Sequence, residues 1–147
     1  MKLRFIWVGK TRNTHYRALT ADYVARLSHF AQIETAEVKD GGGAGEEGQR
    51  ILQKLNPNSF VCLLDVIGRQ ISSHEFADEI AAWQNRSLKE ICFVLGGAAG
   101  VSNAVAHRAD YRLSLSFLTF THEMARVLIV EQVYRAFTIL RGFPYQK

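Results

Sequence analysis

Two hydrophobic periods alternate along this chain. Lys2-Leu3-Arg4-Phe5-Ile6-Trp7-Val8 is a short apolar run closed by Gly9, which predicts a first strand. From about Thr14 to Phe30 the apolar positions Tyr16, Leu19, Tyr23, Val24, Leu27 and Phe30 recur at helical spacing. Ile33–Val38 reads as a weaker strand. The glycine-rich stretch Asp40–Gly45 reads as a flexible loop before a short helix through Ile51, Leu52 and Leu55, which Asn56-Pro57-Asn58 stops. Phe60–Asp65 predicts a third strand ended by Ile67-Gly68. Ser72 with Glu75 three residues on is a capping-box signature, and Phe76, Ile80 and Trp83 follow on one helical face.

Glu90–Leu95 predicts a fourth strand, apolar enough to be central, and it runs directly into Gly96-Gly97-Ala98-Ala99-Gly100. A short helix near Ser102–Ala106 leads to a fifth strand near Tyr111–Ser114. The last element, Thr121 to Arg141, predicts about 30 Å of helix closed by Gly142 and Pro144. Strands alternating with helices of these lengths predict an α/β fold, a mostly parallel sheet flanked by helices, as one domain over residues 1–147.

Composition narrows the class. The 147 residues are 48% hydrophobic and 22% charged, ordinary for a globular domain. The net charge of +4 permits a nucleic-acid partner without requiring one. Its distribution adds more: Lys2, Arg4, Lys10, Arg12, Arg17 and Arg26 face only Asp22 in the first thirty residues, so one end of the molecule is expected to be basic. Cys62 and Cys92 lie inside apolar runs without metal-type spacing, which reads as buried reduced thiols, and no metal is expected. No signal peptide precedes the first strand and no apolar run reaches the length of a membrane span, so the expected location is cytoplasmic, with no membrane contact.

In an open parallel sheet, ligands bind beyond the carboxyl ends of the strands. Two loops qualify, Leu64–Gly68 and Gly96–Gly100, although tight turns alone would also explain their glycines. Neither carries the G-x-G-x-x-G fingerprint, and the absence of G-x-x-x-x-G-K-[ST] excludes a Walker-type nucleotide site. Leu113–His122 alternates hydroxyls with apolar side chains, as a wall for a flat heterocycle would, or as a half-buried strand and helix cap would. The last helix is apolar nearly all round from Met124 to Leu140, which predicts cover on nearly all sides and a homodimer interface. Within it sit Arg126, Glu131, Gln132 and Arg135, for which a structural ion pair is the competing explanation.

Gly96-Gly97-x-x-Gly100, Leu113-Ser114-Leu115-Ser116-x-x-Thr119, His122-x-x-x-Arg126, Glu131-Gln132-x-Tyr134-Arg135-Ala136 and the tail Pro144-Tyr145 together resemble the ribosomal large-subunit pseudouridine N3-methyltransferase family. This is the small single-domain branch of the trefoil-knotted, SPOUT-class methyltransferases, and the likeness runs the length of the chain. It implies a deep C-terminal trefoil knot, an exception to the rule that chains do not thread loops. It further implies S-adenosylmethionine (S-adenosyl-L-methionine) as cofactor, held by Leu64, Gly96 and the segment Leu115, Ser116, Phe117, Leu118, Thr119 and Phe120. Around the substrate it implies His122, Arg126, Arg135 and Tyr145, in a homodimer whose sites are completed by the partner's tail, acting on large-subunit (23S) ribosomal RNA within the assembled ribosome. The family tail usually continues Pro-Tyr-His, whereas this chain has Gln146, which accepts no proton at neutral pH. Two alternatives remain open: a knotted methyltransferase acting on another RNA such as tRNA, and a non-catalytic ribosome-binding protein without affinity for the cofactor.

Overall fold

A computed structural model describes residues 1–145. The elements run β1 (Lys2–Val8), α1 (Thr14–Leu27), β2 (Gln32–Val38), α2 (Gly43–Lys54), β3 (Phe60–Arg69), α3 (Ser73–Asn85), β4 (Glu90–Leu95), α4 (Asn103–Arg108), β5 (Tyr111–Leu113) and α5 (His122–Arg141). The five strands form one sheet in the order β2-β1-β4-β3-β5, and every pairing is parallel. The α/β expectation holds, and β4 occupies the residues expected of it, between β1 and β3.

Period-two side chains divide the central strands between two cores. Leu3, Phe5, Trp7, Ile91, Phe93 and Leu95 face α1, α3 and α5. Ile6, Val8, Val61, Leu63, Cys92 and Val94 face α2 and α4 across the other side. Cys62 and Cys92 are free, buried and on opposite faces of the sheet. Burial raises both thiols, Cys92 to about 12, so each stays protonated and acts as a small apolar side chain.

Local sequence explains most boundaries. Asn13 caps α1 through its side chain, and Ser72 with Glu75 forms the expected capping box of α3. The first helix ends at Leu27, three residues early, because the chain turns there and lays Phe30 against Phe137. The glycine-rich stretch is not wholly loop: α2 begins at Gly43, and Arg50 reaches back to the carbonyls of Lys39 and Gly41 to fix the approach. Strand β3 runs four residues past Asp65, with an irregular register between Leu64 and Arg69 where it flanks β5. Gly68 is required there, since a Cβ would lie 2.8 Å from the Arg112 carbonyl. After Leu113 the chain leaves the sheet, so the segment 114–120 is irregular rather than strand. It crosses the carboxyl edge of the sheet from β5 to reach α5.

Helix α5 is covered by its own chain more fully than its composition suggested. It packs between α1 and α3 over the sheet, burying Ile129, Val130, Val133, Ala136 and Phe137. Among the described residues no helix is long and apolar enough to cross a membrane.

An ion cluster ties the amino ends of the strands. The Glu90 carboxylate accepts from Ser59 Oγ at 2.6 Å and from Arg4 Nη1 at 3.4 Å, while Arg4 also donates to Glu34 and to the Lys54 carbonyl. Arg4 and Glu90 are 6% and 7% exposed, so the pair lies largely out of water. Removing one partner of such a pair leaves the other charge uncompensated. Glu90→Ala should therefore cost about 3 kcal/mol of stability, read as a lower urea midpoint at unchanged slope. Glu90→Gln, which keeps the Ser59 contact, should cost less. A loss below about 1 kcal/mol would reduce the cluster to a surface-like ion pair.

Candidate cofactor cleft and active-site cluster

The carboxyl ends of β3 and β4, the glycine turn after β4 and the crossing segment enclose a cleft of about 860 Å³. Its size suits a nucleoside-type ligand. Of the residues expected to hold the cofactor, Leu64, Gly96, Leu115, Ser116, Leu118, Thr119 and Phe120 line it. Phe117 does not; it points outward and is 67% exposed. Leu118 is also largely exposed, at 76%, an apolar side chain at the mouth of the cleft. Asp65 and Gly97, from the two loops singled out in the sequence, also line it, as do Val101 and Arg112, which sequence reasoning missed. Asp65 in β3 and Arg112 in β5 approach to 3.8 Å across the wall, and only the pairing of those two strands could have signalled Arg112.

The glycine turn is tighter than a ligand contact alone requires. Gly100 donates its amide to the Gly97 carbonyl at 3.0 Å, and Gly100 has φ +87°, a left-handed conformation suited to glycine. A Cβ on Gly96 would lie 2.9 Å from both the Gly100 carbonyl oxygen and Val101 Cγ2. Gly96→Val must therefore displace the turn itself as well as fill space in the cleft.

The first turn of α5 forms another wall, through Thr121, His122 and Ala125. That turn is pinned from behind. Glu123 Oε1 accepts the backbone amides of Asn13 and Arg12 at 2.9 and 3.0 Å. Arg126 is fully buried; it donates to Thr11 Oγ1 at 2.9 Å and to the Val8 carbonyl, and its guanidinium lies 5.2 Å from the centre of the Trp7 ring. Arg126 was expected at the substrate, but it lies outside the cleft lining and is turned into the protein against the end of β1. It lies on the same side of α5 as His122 but one turn further along, where that side meets Val8 and Thr11 instead of the cleft.

Arg135 and Tyr145 meet further along. Glu131 Oε1 accepts from Arg135 Nε at 3.0 Å and from the Tyr145 hydroxyl at 2.9 Å, and Tyr23 and Tyr145 share a hydrogen bond of 3.0 Å. The Tyr145 ring stands edge-on to Tyr134 at 4.8 Å, with Arg135 over it at 5.2 Å. The tail thus folds back onto α5 instead of projecting as a loose end. Gln146, the departure from the family's Pro-Tyr-His tail, and Lys147 lie outside the described residues. Burial, followed by its bonds to Tyr23 and Glu131, pushes the Tyr145 phenol up, so this hydroxyl donates a proton and does not act as a base near neutrality. The ion pair with Glu131 raises Arg135, which stays cationic.

The cluster and the cleft are separated along α5. Thirteen residues divide His122 from Arg135, about 20 Å of helix. A smaller cavity of about 250 Å³ bridges part of that gap, sharing Leu115 and Phe120 with the cleft and reaching Leu128 and Gln132. Gln132 accepts from Ser73 Oγ at 2.8 Å and donates to Glu131 Oε2 at 3.0 Å. Among the described residues, no group of three or more His, Cys, Asp or Glu could hold a metal ion.

The Glu123 contacts set a pH dependence. The Asn13 amide, first, and then the Arg12 amide stabilise the charged carboxylate and lower its pKa from 4.5. A carboxylate depressed on folding contributes stability above its unfolded value and loses it as pH falls through the folded one. Glu123→Gln should therefore be less stable than the parent at neutral pH, and the gap should narrow on acidification below 4.5. A gap in urea midpoint that is independent of pH would mean that the charge of Glu123 does not support the turn.

Comparison with known proteins agrees with this geometry. Residues 1–146 match the family described as "Predicted SPOUT methyltransferase". The chain is 42% identical over 151 residues to the ribosomal RNA large subunit methyltransferase H of Geobacter sulfurreducens, covering 99% of each. It is 37% identical over 153 residues to the protein of that name from Desulfotalea psychrophila, covering all of both chains. Among solved structures, a probable methyltransferase from Bordetella pertussis Tohama I superposes with a TM-score of 0.56 at 14% identity, over 91% of this chain and 95% of that one. A probable methylase family protein from Haemophilus influenzae superposes at 0.55 and 15% identity, over 99% of this chain and 70% of that one. The chain belongs to the SPOUT methyltransferase family.

Proposed function

We propose that this chain binds S-adenosylmethionine in the cleft and methylates N3 of a pseudouridine in large-subunit ribosomal RNA, on the assembled ribosome. The observation that carries the reading is the glycine turn at the carboxyl end of β4. Its backbone is packed too closely for a Cβ at residue 96, and it opens on a cleft large enough for the cofactor. The residues fit the group: Leu64, Leu115 and Leu118 offer apolar walls, while Ser116, Thr119 and backbone groups around Gly96 offer hydrogen bonds. Asp65 supplies a carboxylate for ligand hydroxyls. The deep trefoil knot belongs to the same reading; the crossing of segment 114–121 past the ends of β3 and β4 is the path such a knot would use.

When bound, S-adenosylmethionine supplies an electrophilic methyl group on a sulfonium. The chain's own task is to position an acceptor nitrogen and manage its proton. An imide nitrogen is a better nucleophile without its proton, and a fixed cation favours the resulting anion. Arg135 is such a cation, held by Glu131. Tyr145 can donate a hydrogen bond to a base oxygen in place of the one it gives Glu131, and His122, in the cleft wall, is a side chain able to accept a proton there. Arg126 holds the wall and does not touch the reacting atoms.

The separation of Arg135 and Tyr145 from His122 supports a homodimer in which one protomer's cluster serves its partner's cleft. The surface for it is the stripe Val127, Glu131 and Tyr134, half-buried after α1 and α3 have packed on α5. Substrate specificity rests on the ribosome as a preformed surface, because a 147-residue domain at +4 offers little area for reading RNA sequence alone.

The reading is tested by calorimetric titration with S-adenosylmethionine and by mass spectrometry of large-subunit RNA after incubation of ribosomes with the enzyme. Binding and a single added methyl group are expected; naked RNA should be a poor substrate. Absence of cofactor binding would leave a ribosome-binding protein.

The composite site is tested by mixing. Gly96→Val disables the cleft and Arg135→Ala the cluster, so each should be inactive alone. Mixed, a symmetric dimer that shares sites should recover about a quarter of parental activity, from half the dimers each carrying one intact site. No recovery would place cleft and cluster of one site in the same chain.

The tail gives a further expectation. Tyr145→Phe removes both hydroxyl contacts but keeps the ring on Tyr134 and Arg135. S-adenosylmethionine affinity should stay within about twofold while the turnover number falls about tenfold or more, the loss expected for a transition-state hydrogen bond. Unchanged turnover would make the hydroxyl purely structural.

A further inference from the structure

A cavity of about 420 Å³ lies away from the cleft, between α1 and the strands β1 and β2. Its inner side is rich in donors that lack acceptors. Trp7 and Thr20 line it and are 3% and 7% exposed, and among the described residues Trp7 Nε1 and Thr20 Oγ1 have no hydrogen-bond partner. A buried polar group left in that condition is costly unless something else satisfies it.

The charge behind the cavity has the same character. The Arg126 guanidinium lies against the Trp7 ring, its Nη atoms bonded to a carbonyl and a hydroxyl, and its Nε unpartnered among the described residues. The carboxylates that bear on it, Glu123 and Glu37, act through space without a hydrogen bond to it. A buried cation so weakly compensated favours a negative group nearby. The rim adds two exposed cations, Lys10 and Arg17, from the basic first thirty residues. Val24 and Ala25 supply an apolar wall, and Glu37 is the one acidic residue in the lining, exposed on the edge strand.

Donors at the back, cations at the mouth and an apolar wall describe a site for a nucleotide. We propose that this cavity binds one nucleotide of the RNA substrate other than the methylated one, with its phosphate on Lys10 and Arg17 and its base carbonyls toward Trp7 and Thr20. Glu37 suits a base N–H. The volume lies within the range of roughly 300–1,000 Å³ that small-ligand sites occupy. The loop between β1 and α1 joins this site to the active one, for Thr11 lines the cavity while the amides of Arg12 and Asn13 hold the α5 turn that carries His122. The proposal rests on the reading of the chain as an RNA methyltransferase.

The test uses the full chain with 15N-labelled tryptophan. It has two indole N–H resonances, from Trp7 and Trp83, assigned with Trp83→Phe. Uridine 5′-monophosphate should move the Trp7 resonance and leave that of Trp83 in place, while uridine should act more weakly and inorganic phosphate should not move it. Arg17→Glu should weaken the nucleotide about tenfold and raise KM for ribosomes by a similar factor, with kcat and S-adenosylmethionine affinity within about twofold. Thr20→Val should weaken the nucleotide without any change of charge. A Trp7 resonance that ignores the nucleotide, with KM unchanged in Arg17→Glu, would overturn the proposal and leave the donors to water. Nucleotide binding with an unchanged ribosome KM would overturn it too, assigning the cavity to a free nucleotide. The indole titration needs no turnover, so its failure is distinct from a failure of cofactor binding or of methylation by the parent enzyme.

Discussion

The organisation of this molecule depends on how the first turn of α5 is fixed. A helix arriving from the far edge of the sheet has to stop at a defined place above β1, and two side chains one turn apart hold it there. Glu123 takes the free amides at the start of α1, and Arg126 takes the last carbonyl of β1 together with Thr11. Both contacts are charge-assisted, and that of Arg126 is fully buried, where a misplaced cation would be expensive. The cost of misplacement is what makes the position sharp. Everything α5 presents, from His122 in the cleft to the Glu131 cluster, inherits its register from that anchor.

The cleft follows from topology. With β1 and β4 central and the connections leaving to both sides, the carboxyl ends of β3 and β4 are where loops diverge, and a crevice is unavoidable there. What distinguishes this crevice is its material. The turn after β4 is closed by its own backbone, and the crossing segment 114–120 stands outside any strand ladder. Such walls bind through peptide N–H and C=O groups whose positions are set by packing rather than by side-chain rotamers. This explains why no familiar nucleotide fingerprint is present, and why the serine and threonine of segment 114–120 need not all point inward.

Much of this was legible in the residues. β4 is a run of six buried side chains, and its burial on both faces is why an uninterrupted apolar run read correctly as a central strand. The capping box of α3 is a local interaction and needed no tertiary information. The misreadings have one source: tertiary contacts that override local preference. The glycines at 43, 45 and 48 disfavour helix, yet α2 starts among them because Arg50 and Glu47 tie it to the preceding loop and Gly48 must pass close to Ser102. The docking of the tail could not be read, because nothing in Phe143-Pro144-Tyr145 shows that Phe30 and Tyr134 wait for it. Arg126 looked like part of the site because its spacing from His122 gives the same helix face, but not what that face meets one turn further along. One helical turn separates a side chain in the cleft from one in the core.

The distance between cleft and cluster constrains the chemistry more than any single residue does. α5 is a continuous helix, so the gap between His122 and Arg135 cannot close by bending. Gln132 carries hydrogen bonding from Ser73 to Glu131, but the side chain that accepts from Ser73 cannot also hand a proton along the path, since an amide neither gains nor loses one near neutrality. On the proposed reading, a proton taken from a base in the cleft is therefore accepted there and is not passed along α5. Arg135 and Tyr145, one fixed as a cation and the other as a neutral phenol, are suited to hold negative charge on the acceptor base rather than to remove its proton. On the proposed reading, labour is divided between a cleft that positions the methyl donor and a pre-bonded cluster that stabilises the acceptor. In the proposed homodimer, one protomer's cluster meets its partner's cleft without any distortion of the helix that carries both.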